Sequence, residues 1–321
     1  MCCIVILYTS HGMQMSIKLV NGVMLPELVF GTDIVGDWRR ASSIFRRGIN
    51  KYRYEKQLYD RDQYRRVKLD KSFEHLIDTA ISSGITGFDT SRAYGGSEFA
   101  LGNVIKKYNR KDLFIISKVS NADQREIGAK EALERSLDDL KTDYIDLYLL
   151  HWPQPDTFLN NWLQLEEIYK NTNKCKAIGV CNCKKHHIEL LRKKATILPM
   201  VNEIEVHPLL TEKELCEYCI DNKIGVLSYT STARMDDRLV ESTRIKNICK
   251  KYEKTYVQII LKWHIQRGRT PIFNTSNSKH LINNVKDLNF RIESEDLDII
   301  DGMNINSRLR FDSDNCDYDI L

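Results

Sequence analysis

Short runs of β-branched and aromatic residues alternate along this chain with amphipathic stretches. The run at residues 144–151 is almost continuously apolar, which is typical of a parallel strand covered by helices. The pattern predicts strands at residues 28–31, 87–90, 113–119, 144–151, 176–181, 200–206, 225–229 and 270–273. It predicts helices at residues 69–83, 97–108, 126–140, 158–171, 185–193, 212–222 and 256–267.

Eight β-α units in one chain of this length favour a closed barrel over an open sheet. The predicted fold class is therefore α/β, a (β/α)8 TIM barrel. Residues 17–19 and 23–25 flank Asn21-Gly22, the signal for a two-residue β-hairpin turn, so a hairpin should precede the first barrel strand. No GxGxxG follows a strand, which disfavours a Rossmann domain. No linker composition interrupts the chain, so residues 15–321 are predicted to form one domain.

Composition excludes several classes of protein. Of the 321 residues, 42% are hydrophobic and 29% charged, unlike a disordered chain, and no apolar run is long enough to span a membrane. Nine cysteines without a small disulfide-rich scaffold indicate a reducing cytoplasm. The pair Cys216-x-x-Cys219 has no second pair at zinc-site spacing, so no metal is predicted.

The first fourteen residues differ from the rest of the chain. They carry a short apolar run but lack the positive segment and the cleavage-like segment of a secretory signal. Met15 begins a more natural opening. Residues 1–14 are therefore predicted to be a disordered extension or a wrongly assigned start.

Four chemically active side chains fall at or after the ends of successive predicted strands. They are Asp89, Lys118 and His151, together with Tyr94 in the loop after Asp89. Active sites of such barrels lie at the carboxyl ends of the strands. A nearby ammonium stabilises a phenolate, an acid offsets the buried ammonium, and an imidazole can polarise a carbonyl. Together the four predict protonation of a carbonyl oxygen, although each residue alone has a structural interpretation.

The chain resembles the aldo-keto reductase family over residues 15–305. The matching motifs are GT at residues 31–32, GFDTSRAYGGSE at 87–98, ISK at 116–118, DYIDLYLLHWP at 143–153, IGVCN at 178–182 and VNEIEVHP at 201–208. The resemblance implies reversible reduction of an aldehyde or ketone with NAD(P)H. It makes Asp89, Tyr94, Lys118 and His151 the catalytic residues, with Tyr94 as proton donor. Trp152, Tyr94 and His151 would contact the substrate.

The resemblance also implies a set of cofactor-binding positions, at which this chain departs from the family. Cys181 replaces the usual Ser and Glu203 the usual Gln, whereas Asn182 is kept. The family's Lys and Arg for the 2′-phosphate of NADPH are replaced by Asn274 and His280. NADP(H) remains the expected cofactor, with NAD(H) as the alternative. The implied cofactor-binding residues are Gly31, Thr32, Asp89, Cys181, Asn182, Glu203, Tyr229, Asn274, Thr275, His280 and Asn284.

A basic insertion separates the first predicted barrel strand from the first helix. Residues 36–68 contain eleven Lys or Arg and four Asp or Glu, a net charge of +7, while the whole chain carries +4. The remainder is therefore slightly acidic, which argues against nucleic-acid binding. The insertion is either a lid that attracts an anionic substrate or the cofactor phosphates, or a solvated excursion.

These observations predict a cytoplasmic oxidoreductase that acts on a small carbonyl or alcohol substrate. It would be a monomer or a weak homo-oligomer, with no membrane partner. The alternative is a cofactor-binding regulatory subunit on the same fold with little turnover, similar to the beta subunits of potassium channels. Turnover of NADH or NADPH with aldehydes distinguishes the two.

Overall fold

The structure is a computed structural model that describes residues 3–9, 12–33, 71–316 and 318. The basic insertion at residues 36–68 therefore lies outside the described residues, and its role stays a prediction. The strands of the described part are β1 (Cys3–Thr9), β2 (Gly12–Lys18), β3 (Met24–Leu25), β4 (Val29–Gly31), β5 (Gly87–Asp89), β6 (Phe114–Val119), β7 (Leu147–Leu150), β8 (Ile178–Cys181), β9 (Val201–Glu205), β10 (Gly225–Tyr229) and β11 (Thr270–Phe273).

Strands β4 to β11 form a closed barrel in the order β10-β11-β4-β5-β6-β7-β8-β9. The paired neighbours run parallel, as in β5 with β6 and β9 with β10. The predicted TIM barrel is therefore confirmed. Every predicted barrel strand is present, and most are shorter than the apolar run that predicted them.

The helices pack in sequence between these strands. Seven of them overlap the seven predicted helices, whereas α3, α8, α9, α11 and α12 were not predicted. The helices of the described residues are α1 (Lys71–Ser82), α2 (Ser97–Ile105), α3 (Asn121–Glu126), α4 (Gly128–Leu140), α5 (Phe158–Asn171), α6 (Lys185–Lys194), α7 (Lys213–Asp221), α8 (Asp237–Val240), α9 (Thr243–Tyr252), α10 (Tyr256–Gln266), α11 (Ser278–Val285) and α12 (Ser294–Asp301). In the part of the chain that the structure covers, none of them is long and apolar enough to cross a bilayer.

An antiparallel sheet of three strands precedes the barrel. Strands β2 and β3 pair Ile17 with Leu25 across the turn at Asn21-Gly22, where Gly22 adopts the left-handed φ of 89°. The predicted hairpin is therefore confirmed. Residues 3–9 pair with β2 as strand β1. The disordered extension expected at residues 1–14 and the alternative start at Met15 both stay predictions.

The described residues divide into two compact units. The first contains residues up to 29, residues 179–273 and residues 282–316, and the second contains residues 30–33, 71–178, 274–281 and 318. The single domain expected for residues 15–321 stays a prediction. The catalytic residues predicted from the sequence all lie in the second unit.

Helices α2 and α4 of the second unit approach closely at Gly102. A Cβ atom at this position would lie 2.4 Å from the carbonyl oxygen of Asp139 and 2.7 Å from the carbonyl carbon of Leu140. These are backbone atoms and cannot rotate away. A glycine is thus required for this contact, even though glycine weakens a helix.

We expect Gly102→Ala to lower the free energy of unfolding by about 2–3 kcal/mol, because overpacking exceeds the gain in helix propensity. Urea unfolding of both proteins measures the difference. Gly84→Ala is the matched control: its φ is 88° but no atom lies within 4 Å of the new Cβ. Only backbone strain of about 1 kcal/mol is expected there. The packing argument would be contradicted if Gly102→Ala lost no more free energy of unfolding than Gly84→Ala.

Candidate active site

A fully buried lysine forms the centre of the candidate site. Lys118 lies near the carboxyl end of β6, and its side chain is 0% exposed. The ammonium contacts the carboxylate of Asp89, at the end of the neighbouring strand β5, and donates to the carbonyl oxygen of Thr90 at 3.1 Å. An isolated ammonium in the barrel would be strongly destabilising, so these oxygens are what allow it to stay charged.

Tyr94 lies on a tight turn that follows β5. The turn is closed by backbone hydrogen bonds from Tyr94 to Ser91 at 3.0 Å and from Ser97 to Tyr94 at 3.2 Å. The hydroxyl groups of Thr90 and Ser97 are 2.7 Å apart and join its two ends. The Nζ atom of Lys118 lies 4.9 Å from the centroid of the half-buried Tyr94 ring. The phenol is therefore held beside a buried positive charge.

His151 follows the last residue of β7 and is the fourth member of this group. Its backbone N–H donates to the carbonyl oxygen of Val119 at 3.1 Å, which extends the pairing with β6 by one residue. Its ring meets the Tyr94 ring edge to face, with centroids 5.6 Å apart and planes at 81°. Its Nδ1 atom lies 3.4 Å from the hydroxyl of Ser91. The four predicted side chains thus lie together, as the strand-end argument required.

The same strand ends also place the backbone of Thr32 and the side chain of Trp152. Both the N–H and the hydroxyl of Thr32 donate to the carbonyl oxygen of Asp89, at 2.8 and 2.9 Å. Thr32 therefore fixes the end of β5 and follows Gly31, the buried last residue of β4. Trp152 is 6% exposed and meets Tyr318 edge to face, with centroids 6.3 Å apart.

A largely buried arginine, which is not among the residues predicted from the sequence, supports the Tyr94 turn. Arg92 donates from Nε to Asp123 at 2.8 Å, and its Nη1 atom lies 3.4 Å from Glu98 and 3.5 Å from Asp139. The hydroxyl of Ser117, next to Lys118, donates to the other oxygen of Glu98. Arg92 and Glu98 both fall within the matched motif at residues 87–98, which was the available signal.

Burial dominates the acid–base behaviour of Glu98. Its side chain is 3% exposed, and desolvation raises the pKa of the carboxyl to about 7, although Arg92 and Ser117 act in the opposite direction. The surrounding acids raise the pKa of Arg92 despite its own burial, so the guanidinium stays charged. The Glu98 carboxyl can therefore take up a proton near neutral pH.

Four further predicted cofactor residues lie in, or directly after, strands β8, β9 and β10. Cys181 and Glu203 are register partners across β8 and β9, and both are almost fully buried. Asn182 follows β8 with a left-handed φ of 58°, and its N–H donates to the carbonyl oxygen of Glu203 at 2.8 Å. The hydroxyl of Tyr229 donates to Asn182 Oδ1 at 2.6 Å. The structure therefore brings these predicted residues together.

Comparison with known proteins agrees with this geometry. The sequence model of the aldo/keto reductase family matches residues 61–305. A glyoxal reductase of Bacillus subtilis (strain 168) is 38% identical over 235 residues, which are 73% of this chain and 84% of that protein. The methylglyoxal reductase DkgA of Escherichia coli O157:H7 is 34% identical over 242 residues, 74% of this chain and 86% of the relative.

This chain belongs to the aldo/keto reductase family. A crystal structure of a Bombyx mori aldo-keto reductase in complex with NADP shares its fold, with a TM-score of 0.74 and 25% identity, over 93% of this chain and 95% of that one. The expected activity, reduction of a carbonyl group with NAD(P)H, is confirmed for this aldo-keto reductase, as is its class as an oxidoreductase.

The donor set at Asn182 fits the carboxamide of a nicotinamide ring. That carboxamide has one carbonyl acceptor and one NH2 donor, which match the NH2 of Asn182 and the carboxylate of Glu203. The thiol of Cys181 is a weaker donor than the hydroxyl usual in the family. In this aldo-keto reductase the residues therefore fit the nicotinamide end of the cofactor.

The residues predicted for the adenosine end lie just before α11 and within it. Asn274 and His280 are exposed and Thr275 is half-buried, while Asn284 is half-buried near the end of the helix. The hydroxyl of Thr275 accepts from the N–H of Asn277 at 3.1 Å. The nearby basic residue Arg269 is buried at the amino-terminal end of β11, over the ring of Trp263. It is excluded from a cofactor site at the carboxyl end of that strand.

We expect the stability of this protein to fall with rising pH because of Glu98. Its raised pKa means that the folded state holds a proton that the unfolded state has lost, so its contribution is complete below about pH 4.5 and is lost as pH rises through about 7. Relative to Glu98→Gln, the wild type should lose about 2–3 kcal/mol between pH 5 and pH 8. Urea unfolding of both proteins at each pH measures this change.

The exposed residue Glu167 on α5 provides the control. Glu167→Gln should shift the free energy of unfolding equally at the two pH values. A Glu98→Gln difference that does not change with pH would show that Glu98 ionises in the folded state as easily as in the unfolded one.

Proposed function

We propose that this enzyme reduces small aldehydes, including α-dicarbonyl compounds such as glyoxal and methylglyoxal, with Tyr94 as the proton donor. The observation that carries this assignment is the buried ammonium of Lys118, 4.9 Å from the centroid of the Tyr94 ring. Two relatives bear the names glyoxal reductase and methylglyoxal reductase, which supports the substrate class.

Lys118 and Asp89 act on the phenol of Tyr94. A neighbouring positive charge stabilises a phenolate relative to a phenol, so the hydroxyl can give its proton to the carbonyl oxygen as negative charge develops there. Asp89 keeps Lys118 charged in a site with almost no solvent. The tight turn at residues 90–97 holds the phenol in place, so little orientational freedom has to be lost when it reacts.

His151 orients the substrate. Its edge-to-face contact with Tyr94 keeps the imidazole beside the phenol. An imidazole N–H in this place can donate to the carbonyl oxygen of the substrate and polarise the carbon that accepts the hydride. The buried Trp152 beside it would form an apolar wall of the substrate pocket.

When it is bound, the nicotinamide cofactor supplies the hydride. Asn182, Glu203 and Cys181 would hold its carboxamide, and the ring of Tyr229 would lie against the nicotinamide. Asn274, Thr275, His280 and Asn284 would bind the adenosine end. Because Asn274 and His280 replace the basic residues of the family, we propose that NADPH binds better than NADH, but by a smaller margin than two cationic side chains would give.

We propose that the enzyme acts in the cytoplasm. Five of the seven cysteines whose side chains the structure describes are buried. Nine cysteines in a chain without a small disulfide-rich scaffold suit a reducing compartment.

We expect Tyr94→Phe to lower kcat by a factor on the order of 10²–10⁴, because the phenylalanine cannot give a proton. The Kd for NADPH should stay within about twofold. Consumption of NADPH with methylglyoxal and quenching of protein fluorescence measure the two quantities. Tyr108→Phe, at a phenol that donates to Asp78 on the surface of the second unit, should keep full turnover.

Two outcomes would count against this function. Turnover retained in Tyr94→Phe would remove Tyr94 as the proton donor. Tight binding of NADPH by the wild type without turnover of any aldehyde would instead favour the regulatory cofactor-binding subunit.

We expect Glu203→Gln to change the preference between the two redox forms of the cofactor. A buried carboxylate near the nicotinamide stabilises the positively charged oxidised ring, and the neutral glutamine does not. The ratio of the Kd for NADP+ to the Kd for NADPH should therefore rise on the order of tenfold in Glu203→Gln. Titration of both cofactor forms measures this ratio, which Glu217→Gln on the exposed side of α7 should leave unchanged. An unchanged ratio in Glu203→Gln would remove the charge effect.

A further inference from the structure

The phenol of Tyr229 forms a short hydrogen bond with the side chain of Asn182. Tyr229 ends β10 and Asn182 follows β8, and the Tyr229 hydroxyl lies 2.6 Å from Asn182 Oδ1. A stacking role for Tyr229 needs an aromatic ring but no hydroxyl. The hydrogen bond therefore gives this residue a feature that stacking does not explain.

This hydrogen bond determines which way the Asn182 amide faces. A primary amide presents a carbonyl oxygen on one side and an NH2 group on the other, and a half turn about its last bond exchanges the two. A phenol can donate or accept, but it is the stronger donor and an amide oxygen is a strong acceptor, so the phenol pairs preferentially with the oxygen, as it does here. With the oxygen held toward Tyr229, the NH2 group faces the opposite direction.

The Tyr229 hydroxyl remains a donor over the whole physiological pH range. Burial raises its pKa, and the carboxylate of Glu205, its register partner on β9, acts in the same direction. Glu205 is itself fully buried and accepts from the backbone N–H groups of Leu309 at 2.7 Å and Arg310 at 3.1 Å. A phenolate would be repelled by this carboxylate, so the protonated phenol is the stable form.

The backbone around Asn182 is held independently of the phenol. Its N–H donates to the Glu203 carbonyl oxygen, and its left-handed φ is one that asparagine tolerates better than most residues. Removal of the Tyr229 hydroxyl should therefore weaken the preference of the amide for this orientation without moving the loop. This separates the effect of the hydroxyl from a general loss of structure.

We propose that Tyr229 is a positioning residue whose hydroxyl orients the Asn182 amide, so that its NH2 group donates to the carboxamide oxygen of the nicotinamide. This inference rests on the proposed function, because it needs Asn182 to bind the nicotinamide. A flipped amide would place its oxygen against the carboxamide oxygen, two acceptors that cannot pair. The hydroxyl thus selects the binding-competent form of Asn182 before the cofactor arrives.

The test compares NADPH with a fragment that lacks the nicotinamide. In Tyr229→Phe the ring remains, and we expect the Kd for NADPH to rise about 3- to 10-fold, the effect of one hydrogen bond. The Kd for adenosine 2′,5′-bisphosphate should not change. Fluorescence or calorimetric titration measures both constants, and thermal unfolding checks that each variant is folded.

A double-mutant cycle tests whether the effect passes through Asn182. We expect Asn182→Ala to weaken NADPH binding by about tenfold or less, and Tyr229→Phe to add less than twofold in that background. Tyr218→Phe, which removes a partly buried phenol hydrogen bond to Glu189 in the same unit, is the control and should leave both constants unchanged.

The outcomes separate this inference from the proposed function. If the wild type binds NADPH and Tyr229→Phe binds it equally well, the positioning role is overturned and the function stands. The positioning role is also overturned if Tyr229→Phe weakens the binding of NADPH and of the fragment equally. It is likewise overturned if Tyr229→Phe keeps its full effect in the Asn182→Ala background. A wild type that does not bind NADPH overturns both.

Discussion

The burial of the Lys118 ammonium constrains the whole second unit. An uncompensated charge inside a barrel costs several kcal/mol, and here Asp89 and the carbonyl oxygen of Thr90 compensate it. Both partners belong to the end of β5 and the residue after it, so the strand register between β5 and β6 must be correct for the ammonium to be stable. The same ammonium acts on Tyr94. The contact that stabilises the buried ammonium is therefore part of the group proposed to protonate the carbonyl oxygen.

A second charged group, the largely buried guanidinium of Arg92, stabilises the turn that carries Tyr94. Arg92 lies among Asp123, Glu98 and Asp139, and Ser117 connects this cluster to the strand of Lys118. Such a network is destabilising unless every member is paired, and it then defines one arrangement of the loop. In the first unit, the Tyr229 hydroxyl plays a comparable part for the side chain of Asn182.

The sequence predicted what depends on periodicity and on motif order. Short runs of β-branched and aromatic residues marked the barrel strands, and strand ends marked Asp89, Lys118 and His151. The spacing of residues does not show which side chains hydrogen-bond to each other. The Arg92 cluster and the hydrogen bond from Tyr229 to Asn182 could therefore not be predicted from spacing. Two of the missed helices, α3 with six residues and α8 with four, are too short for a hydrophobic period to appear.

The central claim is that Lys118 and Tyr94 serve a hydride transfer to a carbonyl carbon. NADPH deuterated at C4 of the nicotinamide, incubated with methylglyoxal and the wild-type enzyme, tests it most directly. The account predicts that the alcohol product carries deuterium on its carbinol carbon, in proportion to the cofactor oxidised. Cofactor oxidation without deuterium on that carbon, or no oxidation with any aldehyde, would contradict it.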